Sequence, residues 1–443
     1  MTVAITRTKA EQGLTQNFEA VAAKLPGNPA VAEARRAAIG AFAALGLPHR
    51  RLEAWKYTDL RSHLKEALPA AVADAPSSLT RAELDAALEE LADVAADRMV
   101  FVDGVYDRGL SQAGVIAGVR LAPLAASLAS PASEAELNGT IPGQEAVLAL
   151  NTAFMTDGAV IDIAAGSTLA SPLLLVFIRT GSGGKRLITT RNLVTIGEKA
   201  RATVIEAHLN LPGAAAGHSN SLSQLTLGEG AQLAHLKCTI GGGGESHVAS
   251  LLPVLAAGAS YRAFQLTAAT GLVRNNVGLT FAGEGGKADV SGCFLGRGSE
   301  HIDTTLVIDH AVAGCESREL FKGVLADRAR GVFQGKVIVR PDAQHTDGKQ
   351  MAQVLMLSET AEFDSKPELE INADDVVCGH GSTSAEIDPD LIFYCRSRGI
   401  AAAEARSLLI ESFIGEAIDK VTDQALNPAL MAMARRRLVG LGT

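Results

Sequence analysis

The sequence predicts a mainly β chain, with a β-solenoid in the middle and helical regions on both sides. Three observations carry that prediction. The two ends are rich in Ala, Leu, Glu and Arg at helical spacing. The stretch from about 158 to 388 is rich in Gly, Val, Thr and Leu in short alternating runs. Within that stretch a degenerate turn element recurs at regular intervals. The chain therefore divides into residues 1–157, mostly helical with a small mixed segment, a β-solenoid over 158–388, and a helical region over 389–443.

In the first region, Asn28 before Pro29-Ala30-Val31-Ala32-Glu33 reads as a helix start, because Asn accepts from free backbone N–H groups and proline suits the first turn. Arg98 to Tyr106 carries Asp103-Gly104 between apolar residues, a hairpin signal. In the middle region the elements Ala165-Gly166-Ser167, Glu198-Lys199-Ala200, Glu229-Gly230-Ala231, Ala257-Gly258-Ala259 and Gly285-Gly286-Lys287 place their central residues 33, 31, 28 and 28 apart. Turn-like elements centred on Arg328, Asp342, Thr360 and Asp374 follow at intervals of 14, 18 and 14. Coils of about 14 residues, taken two at a time, account for both spacings. Repeated strand-turn units that cannot bury their own faces imply a β-helix. A β-sandwich with accidental spacing is the competing reading. In the last region, Ala401 to Ile414 reads as an amphipathic helix with Ala405, Leu408, Leu409 and Ser412 on one stripe.

Composition limits the function. The chain has 443 residues, 47% of them hydrophobic, and a net charge of −9, which argues against nucleic acid or an anionic membrane surface as partner. Five cysteines without Cys-x-x-Cys spacing fit a reducing compartment. Residues 1–7 lack a leader pattern and no apolar run reaches membrane-spanning length, so a soluble cytoplasmic protein is expected.

Several motifs fall short. Gly181-Ser182-Gly183-Gly184-Lys185-Arg186 resembles a phosphate loop, but Arg179 stands where the first glycine belongs and Arg186 where Ser or Thr does, so ATP hydrolysis by this chain is not expected. Gln344-His345-Thr346-Asp347 with Asp374-Asp375 offers carboxylates for an acid/base pair, the basis of an alternative reading as a β-helix polysaccharide hydrolase or lyase. Such enzymes line a groove with aromatics, and this chain has 4% aromatic residues and one Trp. The most informative motif is Cys378-Gly379-His380. On a strand, residues i and i+2 share a face, so thiol and imidazole point together. Both suit iron, zinc or copper(I), yet two ligands cannot close a site. An ordinary strand with one buried Cys and one satisfied His competes with the metal reading.

The tract Asp364 to Ile371 through Cys378-Gly379-His380-Gly381-Ser382-Thr383, then Asp388-Pro389 and Phe393 to Ile400, resembles the SufB/SufD family of the SUF iron-sulfur cluster assembly machinery, and its SufD branch in particular. Pro48 to Leu60, with Trp55 and Tyr57, is similar to that family's early signature, so the likeness spans nearly the whole chain. The resemblance implies a right-handed parallel β-helix and a non-catalytic scaffold subunit. It implies pairing with a SufB-like paralogue and docking of an ABC-type ATPase, SufC. A transient iron-sulfur cluster would form at the interface with SufB, none being held stably by this chain alone. By the same resemblance His380, with Cys378 second, lies near that interface, and Arg398, Gly399, Leu408, Leu409 and Phe413 fall in the ATPase-contacting region. A homodimer of the isolated chain is compatible with contact between like folds.

Overall fold

The architecture is a computed structural model that describes residues 7–72, 78–130, 137, 143–242, 245–268, 271–421 and 425–439. Residues 1–6, most of the stretch read above for a leader pattern, lie outside these residues. Two sheets face each other across one interior. The first runs through β1 (Asp97–Val102), β2 (Val105–Tyr106), β5 (Leu173–Arg179), β7 (Arg201–Asn210), β9 (Gln232–Ile240), β11 (Ser260–Ala268), β13 (Lys287–Gly296), β15 (Glu316–Leu325), β17 (Asp347–Met356) and β19 (Val377–Ala385). The second runs through β3 (Val119–Pro123), β4 (Ala159–Ile163), β6 (Leu187–Ile196), β8 (His218–Leu227), β10 (Glu245–Leu255), β12 (Gly271–Phe281), β14 (His301–His310), β16 (Arg330–Val339) and β18 (Glu362–Ile371).

From β4 onward the chain alternates between the sheets, and each strand from β5 to β17 pairs parallel with the strand one coil before and one coil after. This is a parallel β-solenoid, as the repeats predict. Its coil is larger than the sequence spacing suggests. Successive strands of one sheet begin 27 to 31 residues apart from Arg201 to Val377, so an interval near 28 is one coil and an interval near 14 is a single strand with its corner. The corners explain the markers. Gly166, Lys199, Gly230 and Gly258 all have positive φ, as does Gly285 beside the fifth marker. Only a left-handed residue turns the chain this sharply, and at Lys199 (φ 55°) a non-glycine residue adopts it.

Alternation sorts each strand into an inward and an outward face. The inward faces supply one continuous core, from Ile161, Val194 and Val204 through Leu225, Tyr261 and Phe281 to Phe321 and Val337. Part of the interior is polar, and there the groups satisfy one another. The Glu206 carboxylate accepts from Ser223 Oγ at 2.6 Å and meets His235 Nε2 at 3.0 Å, while His235 Nδ1 meets the Tyr261 hydroxyl at 3.0 Å. Against its burial, the His208 and His235 rings hold Glu206 well below the usual carboxylate range.

Helices cover the outward faces. On the second sheet lie α1 (Lys9–Val21), α2 (Pro29–Leu45), the short α3 (Leu60–His63) and α6 (Glu145–Phe154), packed on Leu187, Val248 and Leu272. Asn28 caps α2 by accepting from Val31 N at 3.0 Å, with Pro29 in the first turn, as its sequence requires. Beside β1 lies α4 (Arg81–Ala87), while α5 (Leu124–Ser127) packs on the second sheet at Val160 and Leu193. The first sheet is covered by α4 together with α8 (Ala402–Ile418) and α9 (Asn427–Leu438), which follow α7 (Pro389–Ser397). In α8 the buried residues are Ala405, Ile410, Ile414, Ala417 and Ile418; of the stripe read from the sequence Ala405 is buried and Leu409 half-buried, while Leu408 and Ser412 face outward. Both stripes are helically spaced, and the branched Ile residues are the ones that seal β13 and β15.

One contact ties the amino-terminal region to the solenoid. Trp55 is fully buried and donates from Nε1 to Gly143 O at 2.8 Å, and the Arg274 guanidinium lies 3.8 Å above its ring centroid. Arg274 also donates to Asp303 at 2.5 Å and to Ala54 O at 2.6 Å, and Thr58 donates to Asp303. The pair is wholly buried, so each charge depends on the other. Arg274→Ala should cost roughly 3–5 kcal/mol by leaving Asp303 unpaired. Urea denaturation should recover part of that loss in Arg274→Ala/Asp303→Ala, because the two positions share one interaction.

Candidate functional site

Cys378 and His380 lie on β19, the last strand of the first sheet, where it has no neighbour on its far side among the described residues. Register aligns Gly348 with Cys378 and Gln350 with His380, and one coil further in Ser317 and Glu319 occupy the same two columns. These columns face inward. Gln350 reaches across the interior to donate to Gly335 O at 3.2 Å and Glu368 O at 3.3 Å, and Cys378 packs on the core. Thiol and imidazole therefore open into the mouth of the solenoid. Cys378 is half-buried and His380 is exposed.

Gly348 leaves a gap beneath the thiol. A Cβ there would stand 3.7 Å from Cys378 Sγ and 3.5 Å from Ser317 Oγ. Ser317 in turn meets His310 Nε2 at 3.0 Å. Burial raises the Cys378 thiol above its ordinary value, the Asp347 and Glu319 carboxylates add to this, and the Gly348 N–H opposes it. Glu319 is 3% exposed and neither oxygen has a well-formed hydrogen bond among the described residues. Burial pushes its carboxyl up to about 8, against a lowering from the Ser317 hydroxyl beside it. Below this polar patch the interior is closed by Phe321 and Phe333, their ring centroids 5.4 Å apart.

The backbone at the mouth is half open. Val377 N donates to Thr346 O at 2.8 Å, so the groups of alternate residues Cys378, His380, Ser382 and Ser384 point away from β17, toward the open side. On β18 the bonds Glu362 N to Ala329 O and Asn372 N to Val339 O set the opposite phase, which turns the position of Pro367 outward. That edge therefore lacks a donor at its middle. Ile371, Val377 and Met351 are exposed around the mouth, at 43%, 59% and 36%.

No three His, Cys, Asp or Glu side chains gather into a metal site among the described residues. Cys378 and His380 would supply two ligands, and a cluster held there needs others from outside the chain. The acid/base constellation weighed from sequence is dispersed. His345 Nδ1 pairs with Asp375 at 2.9 Å on an exposed corner, and Asp347 is held by Arg318 at 2.5 Å, which keeps that carboxyl below the usual range. Trp55, the single Trp, is buried and lines no groove.

The second predicted surface lies on α7 and α8. Leu391, Phe393, Tyr394 and Leu408 are exposed at 48%, 73%, 58% and 46%. Gly399, with φ 87°, ends α7, and the Arg398 guanidinium sits 5.2 Å from the Tyr394 ring centroid. Leu409 and Phe413 are half-buried. Phe413 faces the solenoid, with Lys322 Nζ 4.3 Å from its ring centroid, and Lys322 also donates to Glu416. Sequence reasoning missed Ser317, Glu319 and Gln350. Their inward phase was legible from alternation with Phe321 and Ala352, but not their stacking beneath Cys378 and His380.

The SUF system FeS cluster assembly SufBD core domain model matches residues 177–413, and the SufBD protein N-terminal region model matches residues 8–175. The chain belongs to the SufB/SufD family. Among similar members, the iron-sulfur cluster assembly protein SufD of Escherichia coli is 31% identical over 403 residues, covering 89% of this chain and 90% of its own. An iron-sulfur cluster assembly SufBD family protein of Synechocystis is 31% identical over 402 residues, 87% and 86% of the two chains. SufD of Bacillus subtilis is 31% identical over 156 residues, 35% of this chain and 36% of its own. In this family member the mouth residues fall inside the matched core domain.

Glu319 makes stability depend on pH in a definite direction. Its folded value is raised from 4.5, so its contribution is complete below about 4.5 and is lost as pH rises through about 8. Each tenfold change in proton affinity is worth about 1.4 kcal/mol. Glu319→Gln should remove this loss, and denaturation midpoints measured from about pH 5 to about 8 should fall less steeply than in the parent chain. Identical slopes would place the carboxylate in water.

Proposed function

We propose that this SufB/SufD family chain is a non-catalytic scaffold on which a nascent iron-sulfur cluster forms, in the cytoplasm, at the mouth of its solenoid. The carrying observation is that Cys378 and His380, two ligand-type side chains on one inward face, sit on the terminal strand, which pairs with β17 on one side and has no neighbour on the other among the described residues. A second solenoid of the same fold, SufB, docks on that coil. Its strand takes the outward backbone groups of Cys378, His380, Ser382 and Ser384, and its side chains complete the ligand set. Alone, the chain pairs with a second copy through the same coil. The cluster is cargo, assembled and passed on.

The ATPase SufC docks on the exposed apolar face of α7 and α8, formed by Phe393, Tyr394, Leu408 and the neighbouring Arg398 and Gly399. Phe413 acts from the other side, tying α8 to Lys322 on β15. Movement of the ATPase is thereby passed to β15, and through β17 to β19.

His380→Ala should keep the fold and co-purification with both partners while lowering the cluster formed on anaerobic reconstitution, followed by its visible absorbance. Undiminished cluster yield would sink the role assigned to the mouth. Phe393→Glu with Leu408→Glu should lose SufC from the co-expressed complex, a loss of at least about 2 kcal/mol for removal of apolar anchors, and should retain SufB. Retention of SufC would move its docking surface elsewhere.

A further inference from the structure

An open cleft of about 340 Å³ lies at the end of the solenoid opposite the mouth, between the β1–β2 hairpin and the glycine loop that follows β5. Arg108 from the hairpin, Arg179 from the end of β5 and Arg186 from the loop line it, with Tyr106, Ser182 and Gly183. Arg179 and Arg186 are the two residues that spoil the phosphate-loop motif in the sequence. The loop they bracket is firmly built. Thr180 N donates to Asp103 at 3.0 Å, Ser182 N donates to Thr180 Oγ1 at 3.2 Å, and Gly184 N donates to Gly181 O at 3.0 Å. Arg186 lies across the turn, its Nε donating to Gly183 O at 3.0 Å, and a Cβ on Gly183 would press on that nitrogen at 2.7 Å.

The charge in the cleft is unevenly spent. Both carboxylates that line it serve local turns, Asp103 accepting from Thr180 and Asp107 from Leu110 N at 3.0 Å. Arg179 is buried and held in place by Ser219 Oγ at 2.8 Å and Arg186 O at 3.4 Å. Neither Arg108 nor Arg186 forms an ion pair with a described residue, in a chain whose net charge is −9. The positive field is felt next door: burial, with the Arg179 and Lys185 cations adding to it, pushes His218 down to about 4.

We propose that this cleft binds a small phosphate-bearing ligand, its anion held by Arg108, Arg179 and Arg186 over the glycine turn. Planar guanidinium forks match phosphate oxygens in pairs and bind them more selectively than ammonium groups do. The volume falls within the range of small-ligand sites. Lys185, at the motif's lysine position, is not among the residues lining the cleft and pairs with Glu66 at 3.8 Å, and Arg186 stands where the motif's Ser or Thr belongs, so the site binds without hydrolysing.

The test titrates the full-length chain with inorganic pyrophosphate and with ADP, by calorimetry and thermal shift. Both probes should bind the parent chain and raise its melting temperature. Arg108→Glu and Arg186→Glu should each weaken binding about tenfold or more, equivalent to about 1.4 kcal/mol, with unchanged circular dichroism. Arg108 is exposed, so its variant keeps the test open if Arg186→Glu misfolds. Tighter binding of ADP than of pyrophosphate would add the Tyr106 side to the site. Failure of both probes to bind, or binding that survives both charge reversals, overturns the proposal.

Discussion

The parallel hydrogen-bond ladder between coils is the constraint on which the rest of the structure depends. Each strand is satisfied only by the coil before and the coil after, so stability and geometry pass along the solenoid from neighbour to neighbour. The amino-terminal end closes this ladder with antiparallel pieces, β3 on β4 and the β1–β2 hairpin beside β5. At the other end the ladder runs out at β18 and β19. An inward face that would be sealed in any earlier coil is there open, which is why ligand-type side chains are accessible at that coil and buried elsewhere. Cys315 shows the contrast: it packs in the same interior core at an earlier corner, is fully buried, and burial raises its thiol above the ordinary value.

Polar groups inside the solenoid fall into two kinds. Around Glu206 the partners are present within the chain: two imidazoles, a serine hydroxyl, and nearby the Lys237 ammonium donating to Asn275 at 2.8 Å. Such a network fixes the packing and leaves nothing over for chemistry. Near the mouth, Glu319 lacks that provision. It sits two coils beneath His380 in one column, with only Gln350 between, and burial favours its neutral form.

Much of this was legible in the sequence, for local reasons. Most positive-φ corners fall on Gly, with Lys199 an exception, so the repeating turns of the solenoid were readable. The pairing of Cys378 with His380 on one face needed only the period of a strand. What failed was information that local pattern does not hold. Half-coil and whole-coil spacings look alike until strands find their partners. On α8 two stripes are equally helical, and only the shape of β13 and β15 selects Ile410 and Ile414 over Leu408. The column beneath His380 joins Glu319, Gln350 and His380, about thirty residues apart at each step, a relation set by register alone.

Pro367 has a consequence beyond its own strand. An unpaired solenoid coil is a template that would accept another coil of the same kind, and head-to-tail acceptance without closure builds fibres. A missing N–H in the middle of β18 handicaps one of the two edges that such stacking needs, while β19 remains fully equipped. End-to-end polymerisation is thereby disfavoured at the step where it would begin, and a contact that closes on itself after two subunits is not. The chain can keep a sticky end in a crowded cell because one imino acid limits how far it sticks.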